Sequence, residues 1–393
     1  MINSYHQPVS PIKETSDNTI KIAIATTPAE KQEIFRFRYK TYVEEMSKQI
    51  EGIDHANKLL KDELDEWGLL LYAKIGEQLI ATSRINIGNL KKYPKKLVGI
   101  LSLDKFQDCY TESTEQSFAY VTKLMVAPAH RSSPVLYLLI AKCYELCCEN
   151  QVQFAFGACN FHLLRLYEQM GFHRYCYNFV DPGYGLLAPI VMSIDDIQHF
   201  RTVRSPLLRA ARKRREVSTQ SVQWFNTNIR KHSKVINSQI VSDEELWSVL
   251  CENLDRPPTE AVSVLQDLTV IEAKLFLHCC STLIHCNSGD IITMQGDVSY
   301  SYNLLISGKL TSLTLISPIK HYASPGQHFG ANGLTEHNRH TEDIMAISSS
   351  EIMVLSGIAF QRFRHSYPDI AHKIVRNLRR LTKNMPLKTN KLL

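Results

Sequence analysis

The sequence of 393 residues lacks the features that mark several large classes of protein. Residues 1–18 are polar and mixed, without the apolar core of a signal peptide, and the longest apolar runs, such as 135–141, are far too short to cross a bilayer. The ten cysteines form no CxxC pair with a distant partner pair, which argues against a zinc site and a disulfide framework. We therefore expect a cytoplasmic protein with reduced, mostly buried thiols and no bound metal.

Acidic residues are absent from one segment. Between Arg201 and Arg215 there are seven basic residues and no acidic one, and this run accounts for the formal net charge of +6. Such a run is most often a solvated helix face or a linker. The alternative is that it docks an acidic partner, such as a carrier protein, a nucleic acid or a membrane surface.

The first half of the chain has the pattern of a mixed sheet flanked by helices. A strand is predicted at 19–24, a helix at 28–46, a hairpin at 68–74 and 78–87, and a further strand at 119–126. A helix with an apolar stripe follows Pro128, then come a strand at 152–158 and a short helix at 161–170 that Gly171 ends. This alternation predicts an α+β fold with helices packed on a central sheet.

The second half has a different character. From 201 to about 249 the chain is predicted to be helical and polar, and it is interpreted as a connector. From 282 to 356 the strands are short and turn signals recur every few residues, which indicates an all-β roll or barrel. From Ile358 onward a helical stripe returns.

The segment 160–172, NFHLLRLYEQMGF, resembles the last helix of the GNAT N-acyltransferase fold. In that family a tyrosine hydroxyl lies near the thioester sulfur and can protonate the leaving thiolate, so the resemblance implies that Tyr167 is the general acid. It also implies that Asn160 binds substrate. The alternative is that Tyr167 only packs under the sheet.

The segment 124–136, LMVAPAHRSSPVL, resembles the strand-to-helix turn with which the family holds the pyrophosphate of coenzyme A. The resemblance implies that Val126 and Arg131 contact the acyl donor. Glycines are expected after Arg131, but Pro134 occurs there and removes a backbone N–H donor. We therefore expect a donor that is held mainly through its pantetheine arm and acyl chain.

Three further segments resemble the long-chain N-acyl amino acid synthases and the acyl-homoserine lactone synthases. They are 36–46, RFRYKTYVEEM, 62–67, DELDEW, and 80–85, IATSRI, and the resemblance extends over 19–208. It implies transfer of a fatty acyl group from an acyl carrier protein, or from acyl-CoA, to an amine. The synthases have a glutamate where this chain has Lys123 and its neighbours, so acceptor recognition is expected to differ.

The chemistry of amine acylation explains why these residue types occur. An amine is a protonated cation at neutral pH, so it needs a carboxylate to attract it and a base or a water relay to take its proton. Asp62 and Asp65 can share one face of a turn and supply the carboxylates. Arg38 and Arg84 can bind the carboxylate of an amino-acid acceptor, or they can order the acidic turn. For each of the four, a surface salt bridge is the alternative.

The segments 289–297, GDIITMQGD, 303–310, NLLISGKL, and 324–330, SPGQHFG, resemble the cyclic-nucleotide-binding domain. The resemblance implies a β-roll with Phe329, Gly330, Arg339 and His340 at the nucleotide site. The family has a glutamate after Gly330 and an arginine near position 340, whereas this chain has Ala331 and His340. These changes favour a fold kept for contacts between domains or subunits, with a nucleotide site as the alternative.

We predict three regions: a GNAT-type N-acyltransferase domain at 19–208, a basic helical linker at 209–255 and a cyclic-nucleotide-binding-like domain at 256–385. The predicted function is N-acyl transfer to an amino acid or similar amine, with the second domain regulating it. The alternative is a catalytically inactive module that senses a nucleotide or a lipid. A covalent mechanism through Cys159 and His162 is disfavoured, because direct transfer needs no covalent intermediate. Sequence-specific DNA binding is not expected, since no helix-turn-helix segment follows the roll.

Overall fold

The structure is a computed structural model that describes residues 19–46, 48–109, 117–131, 133–214, 217–232, 235–237, 239–314 and 318–383. Three predictions fall partly outside the described residues. They are the absence of a signal peptide in 1–18, the role of Arg215 in the basic run, and the end of the second domain at 385. Among the described helices, none combines the length and the apolar character needed to cross a bilayer.

The first half contains ten strands and four α-helices in its described part. The strands are β1 (Ile20–Ile24), β2 (Ile53–Asp54), β3 (Leu59–Leu60), β4 (Leu69–Ile75), β5 (Gln78–Gly88), β6 (Phe118–Val126), β7 (Phe154–Cys159), β8 (His173–Arg174), β9 (Phe179–Asp181) and β10 (Gly185–Ser193). The helices are α1 (Pro28–Tyr39), α2 (Lys95–Ile100), α3 (Val135–Glu149) and α4 (Leu164–Met170). A π-helix, Lys40–Glu45, continues α1, and single 3-10 turns include Glu63–Asp65.

Most of these strands form one mixed sheet. Its order is β1-β4-β5-β6-β7-β10-β8, and β9 pairs with β10. The β6–β7 pair is parallel, and the other pairs are antiparallel. Helix α3 packs on one face of the sheet, whereas an aromatic cluster that includes Phe106, Phe154 and Phe156 covers the other face. The predicted mixed sheet flanked by helices is therefore confirmed.

Six helices connect the two halves in the described part of the chain. They are α5 (Ile197–Thr202), α6 (Leu208–Ala211), α7 (Thr219–Asn228), α8 (Asp243–Leu254), α9 (Pro258–Ala261) and α10 (Val270–Cys280). The helical prediction for 201–249 is confirmed in part, since the described residues 203–207 and 239–242 are not helical. The helices of this region are more than a spacer. Phe225 of α7 is buried in the aromatic cluster on the sheet, and Leu246 and Leu250 of α8 are buried in the core of the second half.

The second half is an antiparallel roll closed by two helices. Its elements are β11 (Ser281–Cys286), β12 (Ile291–Thr293), β13 (Ser301–Ser307), β14 (Leu310–Leu313), β15 (His321–Tyr322), β16 (His328–Phe329), β17 (Asp343–Ala346), β18 (Ser350–Ser356), α11 (Gly357–Ser366) and α12 (Pro368–Lys383). Two four-stranded sheets have the orders β11-β18-β13-β16 and β12-β17-β14-β15. The predicted β-roll is confirmed.

The two halves share an extensive junction. Buried apolar residues of both halves, such as Ile190 and Ile284, belong to one continuous cluster. The Ser356 hydroxyl donates to the His162 carbonyl oxygen at 2.7 Å, and Lys48 Nζ lies 2.7 Å from an Asp297 carboxylate oxygen. The roll is therefore positioned directly against the segments that follow the π-helix and β7.

Candidate functional site

Asp62 and Asp65 form a reciprocal cap around the 3-10 turn at Glu63–Asp65. An Asp62 side-chain oxygen accepts the Leu64 N–H at 3.1 Å, and an Asp65 side-chain oxygen accepts the Asp62 N–H at 2.9 Å. The spacing of three residues produces this geometry, because each carboxylate reaches back across one tight turn. The turn fixes both carboxylates on the same side of the sheet.

Two buried arginines hold this acidic turn. Arg38 Nη1 lies 2.8 Å from Asp65 Oδ1, and Arg84 Nη1 lies 3.0 Å from the same oxygen. Arg84 also pairs with Asp62 Oδ1, and its Nε donates to the Thr122 hydroxyl at 3.1 Å. The side chains of Arg38, Arg84 and Asp65 are 0%, 2% and 4% exposed, whereas that of Asp62 is 27% exposed. In this arrangement both arginines order the acidic turn, and Asp62 is the carboxylate that faces outward.

Lys123 completes the cluster, although the sequence did not single it out as a site residue. Its Nζ lies 3.3 Å from Asp62 Oδ2 and donates to the Tyr184 hydroxyl at 3.1 Å. The backbone of Lys123 is left-handed, with a φ of 53°, where the β5–β6 register shifts. This conformation is uncommon for a lysine and turns the side chain inward at a β-bulge. The departure from the synthase pattern at this position was the signal that could have identified it.

The charges in the cluster do not cancel. Arg38, Arg84 and Lys123 supply three cations, whereas Asp62 and Asp65 supply two carboxylates. Burial would raise the pKa of Asp62, but Arg84 and Lys123 outweigh it and hold that pKa below its ordinary value. Burial lowers the pKa of Lys123, and Asp62 offsets this only in part. With all five groups ionised, the cluster carries one excess positive charge, which an anion can neutralise.

Tyr167 is the last of a row of tyrosines that begins beside Lys123 with Tyr184 and continues with Tyr42. Tyr42, on the π-helix, packs edge-on against Tyr184 with ring centroids 5.1 Å apart. Burial and the nearby Cys159 raise the pKa of Tyr167, and Tyr42 raises it further. The raised pKa keeps the phenol protonated at neutral pH, but it also makes the phenol a weaker acid than an exposed tyrosine. The π-helix is a common feature of functional sites, and here it positions Tyr42.

β6 and β7 separate beyond their first residues. Their parallel pairing is limited to Ala119 with Ala155 and Tyr120 with Phe156. Val126 and Cys159, at the carboxyl ends of the two strands, are not paired with each other. Backbone groups along such a notch can bind an extended arm by hydrogen bonds, as an added strand would.

Three of the predicted substrate-binding residues lie around this notch. Val126 is buried at its edge, and its carbonyl oxygen accepts the Arg131 Nε–H at 3.3 Å. Arg131 also pairs with Glu45 of the π-helix. Asn160 Nδ2 donates to the Tyr184 carbonyl oxygen at 2.9 Å. Asn160 therefore anchors the segment that carries Tyr184, and Arg131 ties the loop after β6 to the π-helix.

Cys159 and His162 are not arranged as a nucleophile and its base. Burial raises the pKa of the Cys159 thiol, which opposes the thiolate that a nucleophile needs. His162 instead stacks on Tyr300 of the roll with ring centroids 5.0 Å apart. Burial lowers the pKa of His162 to about 4.

The predicted nucleotide site of the roll is filled by its own side chains. The buried His340 imidazole accepts the Ala331 N–H through Nδ1 at 3.0 Å, next to Gly330, whose φ is 75°. Arg339 Nη1 donates to the Gly296 carbonyl oxygen at 2.7 Å, and Phe329 is buried in β16. A bound phosphate would have to displace His340 from the backbone N–H that it occupies.

Comparison with known proteins finds a family of acyl synthases that is similar to the first half. Residues 33–193 match the family model described as N-acyl amino acid synthase FeeM, and no curated protein matches the sequence. The solved structure of FeeM, from uncultured soil microbes, is 14% identical, covers 49% of this chain and 98% of that chain, and has a TM-score of 0.39. The CoA-dependent acyl-homoserine lactone synthase MesI is 15% identical, covers 50% of this chain and 98% of that chain, and has a TM-score of 0.36.

The solved structures also include cyclic-nucleotide-binding domains. The one from Methylobacillus flagellatus is 15% identical, covers 35% of this chain and 77% of that chain, and has a TM-score of 0.30. The family match confirms the predicted resemblance to N-acyl amino acid synthases in the first half and supports the prediction of an N-acyltransferase. Over residues 33–193, the chain is thus similar to the N-acyl amino acid synthase family represented by FeeM.

Proposed function

We propose that the chain transfers a long-chain acyl group from an acyl thioester to the amine of an amino acid. The observation that carries this proposal is the pair of Asp62 and Lys123 at the outer edge of a buried, net-positive cluster. An amino-acid acceptor is a zwitterion whose ammonium group suits Asp62 and whose carboxylate suits Lys123. The acceptor can therefore replace the ion pair between Asp62 and Lys123 with two, one from its ammonium group to Asp62 and one from its carboxylate to Lys123.

The excess charge of the cluster also favours the reactive form of the acceptor. When the ammonium group loses its proton, the amino acid becomes an anion, which the excess positive charge stabilises. The lowered pKa of Asp62 makes it a weak base, so we expect the proton to leave to solvent along the exposed edge. Asp62 thus orients the amine rather than deprotonating it. Asp65 contributes indirectly, by holding the turn that positions Asp62.

The transfer itself is direct in this proposal. The amine nitrogen attacks the thioester carbonyl carbon, the C–N bond forms, the C–S bond breaks, and the nitrogen releases its second proton to solvent as it becomes the amide nitrogen. The leaving thiolate takes the phenolic proton of Tyr167, which solvent then restores. The notch between β6 and β7 supports a donor arm that enters between Val126 and Cys159 and brings the thioester towards the row of tyrosines.

An acyl carrier protein is the proposed donor, with acyl-CoA as the alternative. Pro134 is the N-cap of α3 and has no backbone N–H to offer a pyrophosphate, which supports a donor held by its arm. The basic segment 201–214 supports docking of an acidic carrier protein. Arg214 is already engaged by Asp195, so the more exposed arginines 201, 204 and 209 would make that contact.

The test is release of the carrier thiol from palmitoyl carrier protein in the presence of an amino acid, measured for the native protein, Asp62→Asn and the exposed control Asp108→Asn. We expect Asp62→Asn to lower kcat/KM about 100-fold and the control to leave it unchanged. A second variant, Lys123→Met, should raise the KM of an amino acid but not that of the matching amine without a carboxylate. No thiol release from any donor would favour the inactive binding module instead.

A further inference from the structure

Residues 181–185 form the turn between β9 and β10, and this turn carries Tyr184. One carboxylate oxygen of Asp181 accepts the N–H groups of Gly183 and Tyr184 at 2.9 Å and 3.1 Å. On the other side, Asn160 Nδ2 donates to the Tyr184 carbonyl oxygen at 2.9 Å. Both backbone polar groups of Tyr184 are therefore held by side chains, which fixes where the tyrosine begins.

The side chain of Tyr184 reaches the proposed acceptor site. Its hydroxyl accepts a hydrogen bond from Lys123 Nζ at 3.1 Å, and the centroid of its ring lies 5.4 Å from the same Nζ. Asp62 Oδ2 lies 3.3 Å from Lys123 Nζ. An ammonium group has three N–H donors, so two fixed partners determine where the third one points.

Lys123 needs such partners because it is buried. Burial disfavours its charged form and lowers its pKa, and Asp62 offsets this only in part. A hydroxyl acceptor and the face of an aromatic ring both favour a charged ammonium group. Tyr184 supplies both, and it therefore stabilises the cation that the carboxylate of an amino acid would contact.

The roll contacts the turn that carries Tyr184. Met294, the residue after β12, lies next to Gly185, since a Cβ added to this glycine would lie 3.7 Å from Met294 Sδ. Asn178, which precedes β9, donates through its Nδ2 to the His285 carbonyl oxygen of the roll at 2.8 Å. The turn thus lies between the roll and the proposed acceptor site.

The segment that follows the π-helix makes a second connection between the roll and this turn. Lys48 Nζ lies 2.7 Å from an Asp297 carboxylate oxygen, and a Cβ added to Gly183 would lie 2.8 Å from Ile50 Cγ1. The Asp297 carbonyl oxygen accepts the N–H of His340 at 2.9 Å. The corner of the roll at 294–297 is therefore joined both to the turn and to the predicted nucleotide site.

We infer that Tyr184 is a positioning residue of the acceptor site, and that the roll controls it through the turn at 181–185. The inference rests on the proposed function, in which Lys123 binds the carboxylate of the acceptor. Coupling between two sites can be carried by contiguous packed contacts of this kind. A movement of the corner at 294–297 shifts Tyr184, and with it Lys123. The roll thus regulates the affinity for the acceptor rather than the chemical step.

The test is the KM of the amino acid that the native protein acylates, measured by thiol release at saturating palmitoyl carrier protein. Tyr184→Phe keeps the ring and removes the hydroxyl, so it should raise this KM about tenfold. The kcat, and the KM of the matching amine without a carboxylate, should stay unchanged. In a Lys123→Met background Tyr184→Phe should have no further effect, because the hydrogen bond is already absent. An equal rise in both backgrounds would assign Tyr184 a packing role and overturn the inference.

The contribution of the roll is tested with a second variant. Asp297→Asn removes the ion pair with Lys48 and should raise the same KM about threefold. Asp267→Asn is the matched control, because it removes an exposed ion pair with Arg380 inside the second half and should leave the KM unchanged. A native KM in Tyr184→Phe or in Asp297→Asn would overturn the inference while leaving acyl transfer itself intact. No thiol release by the native protein with any acceptor would overturn the proposed function as well.

Discussion

At the scale of single residues, burial separates two aspartates of the same acidic turn. Asp65 is 4% exposed and contacts both Arg38 and Arg84, whereas Asp62 is 27% exposed and faces Lys123. Asp62, which solvent can reach, is suited to contact a substrate. Asp65, which is buried behind it, is suited to a structural role. The sequence predicted both carboxylates but could not distinguish them, because spacing alone does not reveal exposure.

This difference predicts opposite effects of the two amide variants. Asp65→Asn leaves the buried Arg38 without its carboxylate, so we expect the free energy of unfolding to fall by about 3–5 kcal/mol. Asp62→Asn should lower it by less, because Arg84 keeps its contact with Asp65, while kcat/KM for acyl transfer falls about 100-fold. Urea unfolding of both variants measures this contrast, and equal stability losses would contradict the assignment.

Tyr167 provides a second prediction at this scale. If its phenol protonates the leaving thiolate, Tyr167→Phe should slow transfer at least tenfold with a palmitoyl thioester of coenzyme A or of the carrier protein. The loss should shrink with an aryl thioester, whose thiolate leaves without a proton. Tyr177→Phe, at a position that is 76% exposed, is the matched control. An identical loss with both kinds of thioester would assign Tyr167 a packing role only.

At the scale of elements, Gly171 fixes the end of the helix that carries Tyr167. Its φ is 114°, and an added Cβ would lie 2.4 Å from Phe200, which is fully buried. Only glycine meets both conditions, which explains why α4 stops where it does.

Gly171→Ala should therefore destabilise the protein by more than about 1 kcal/mol, since it adds both backbone strain and overlap. Gly76→Ala is the matched control, because Gly76 also has a positive φ, of 55°, but nothing lies within 4 Å of the added Cβ. The difference in Tm between the two variants measures how much the overlap of the added Cβ with Phe200 destabilises the protein. Equal shifts in Tm would show that the contact with Phe200 is easily relieved.

Several elements could be predicted because their signals are local. The hairpin of β4 and β5, the end of α4 at Gly171 and the corners of the roll follow from alternation and from turn residues. The π-helix that carries Tyr42 and the left-handed backbone of Lys123 could not be predicted. Both depend on packing against distant segments, which sequence periodicity does not reveal.

At the scale of the whole molecule, the roll is packed against the proposed donor entrance. Lys48 and Asp297 pair across the junction, and His162 stacks on Tyr300, which in turn packs against His337. Lys48 and Asp297 lie 249 residues apart, so no local pattern could predict the contact. This arrangement gives the roll direct access to the loops around the notch, as regulation of transfer would require.

The junction predicts a pH dependence of stability. The pKa of His162 falls from 6.5 to about 4 on folding, so below pH 6.5 the unfolded chain binds a proton that the folded chain does not. Stability should therefore fall as the pH is lowered from 6.5 to 4, and His199 and His328, whose pKa values are also lowered to about 4, should add to the effect.

His162→Phe keeps an aromatic ring at the junction and removes one titrating group. We expect its free energy of unfolding to depend less steeply on pH between 4 and 6.5 than that of the native protein. The exposed His372→Phe is the control and should retain the native slope. A native slope in His162→Phe would mean that this histidine is protonated at the junction.

The most direct test of the proposed function is mass spectrometry of the products formed from palmitoyl carrier protein, palmitoyl-CoA and a pool of amino acids and amines. The Asp62–Lys123 pair predicts a palmitoyl amide of an amino acid, formed by the native protein and lost in Asp62→Asn. An amide formed only with amines that lack a carboxylate would contradict the role of Lys123. The absence of any acyl amide with either donor would contradict acyl transfer itself.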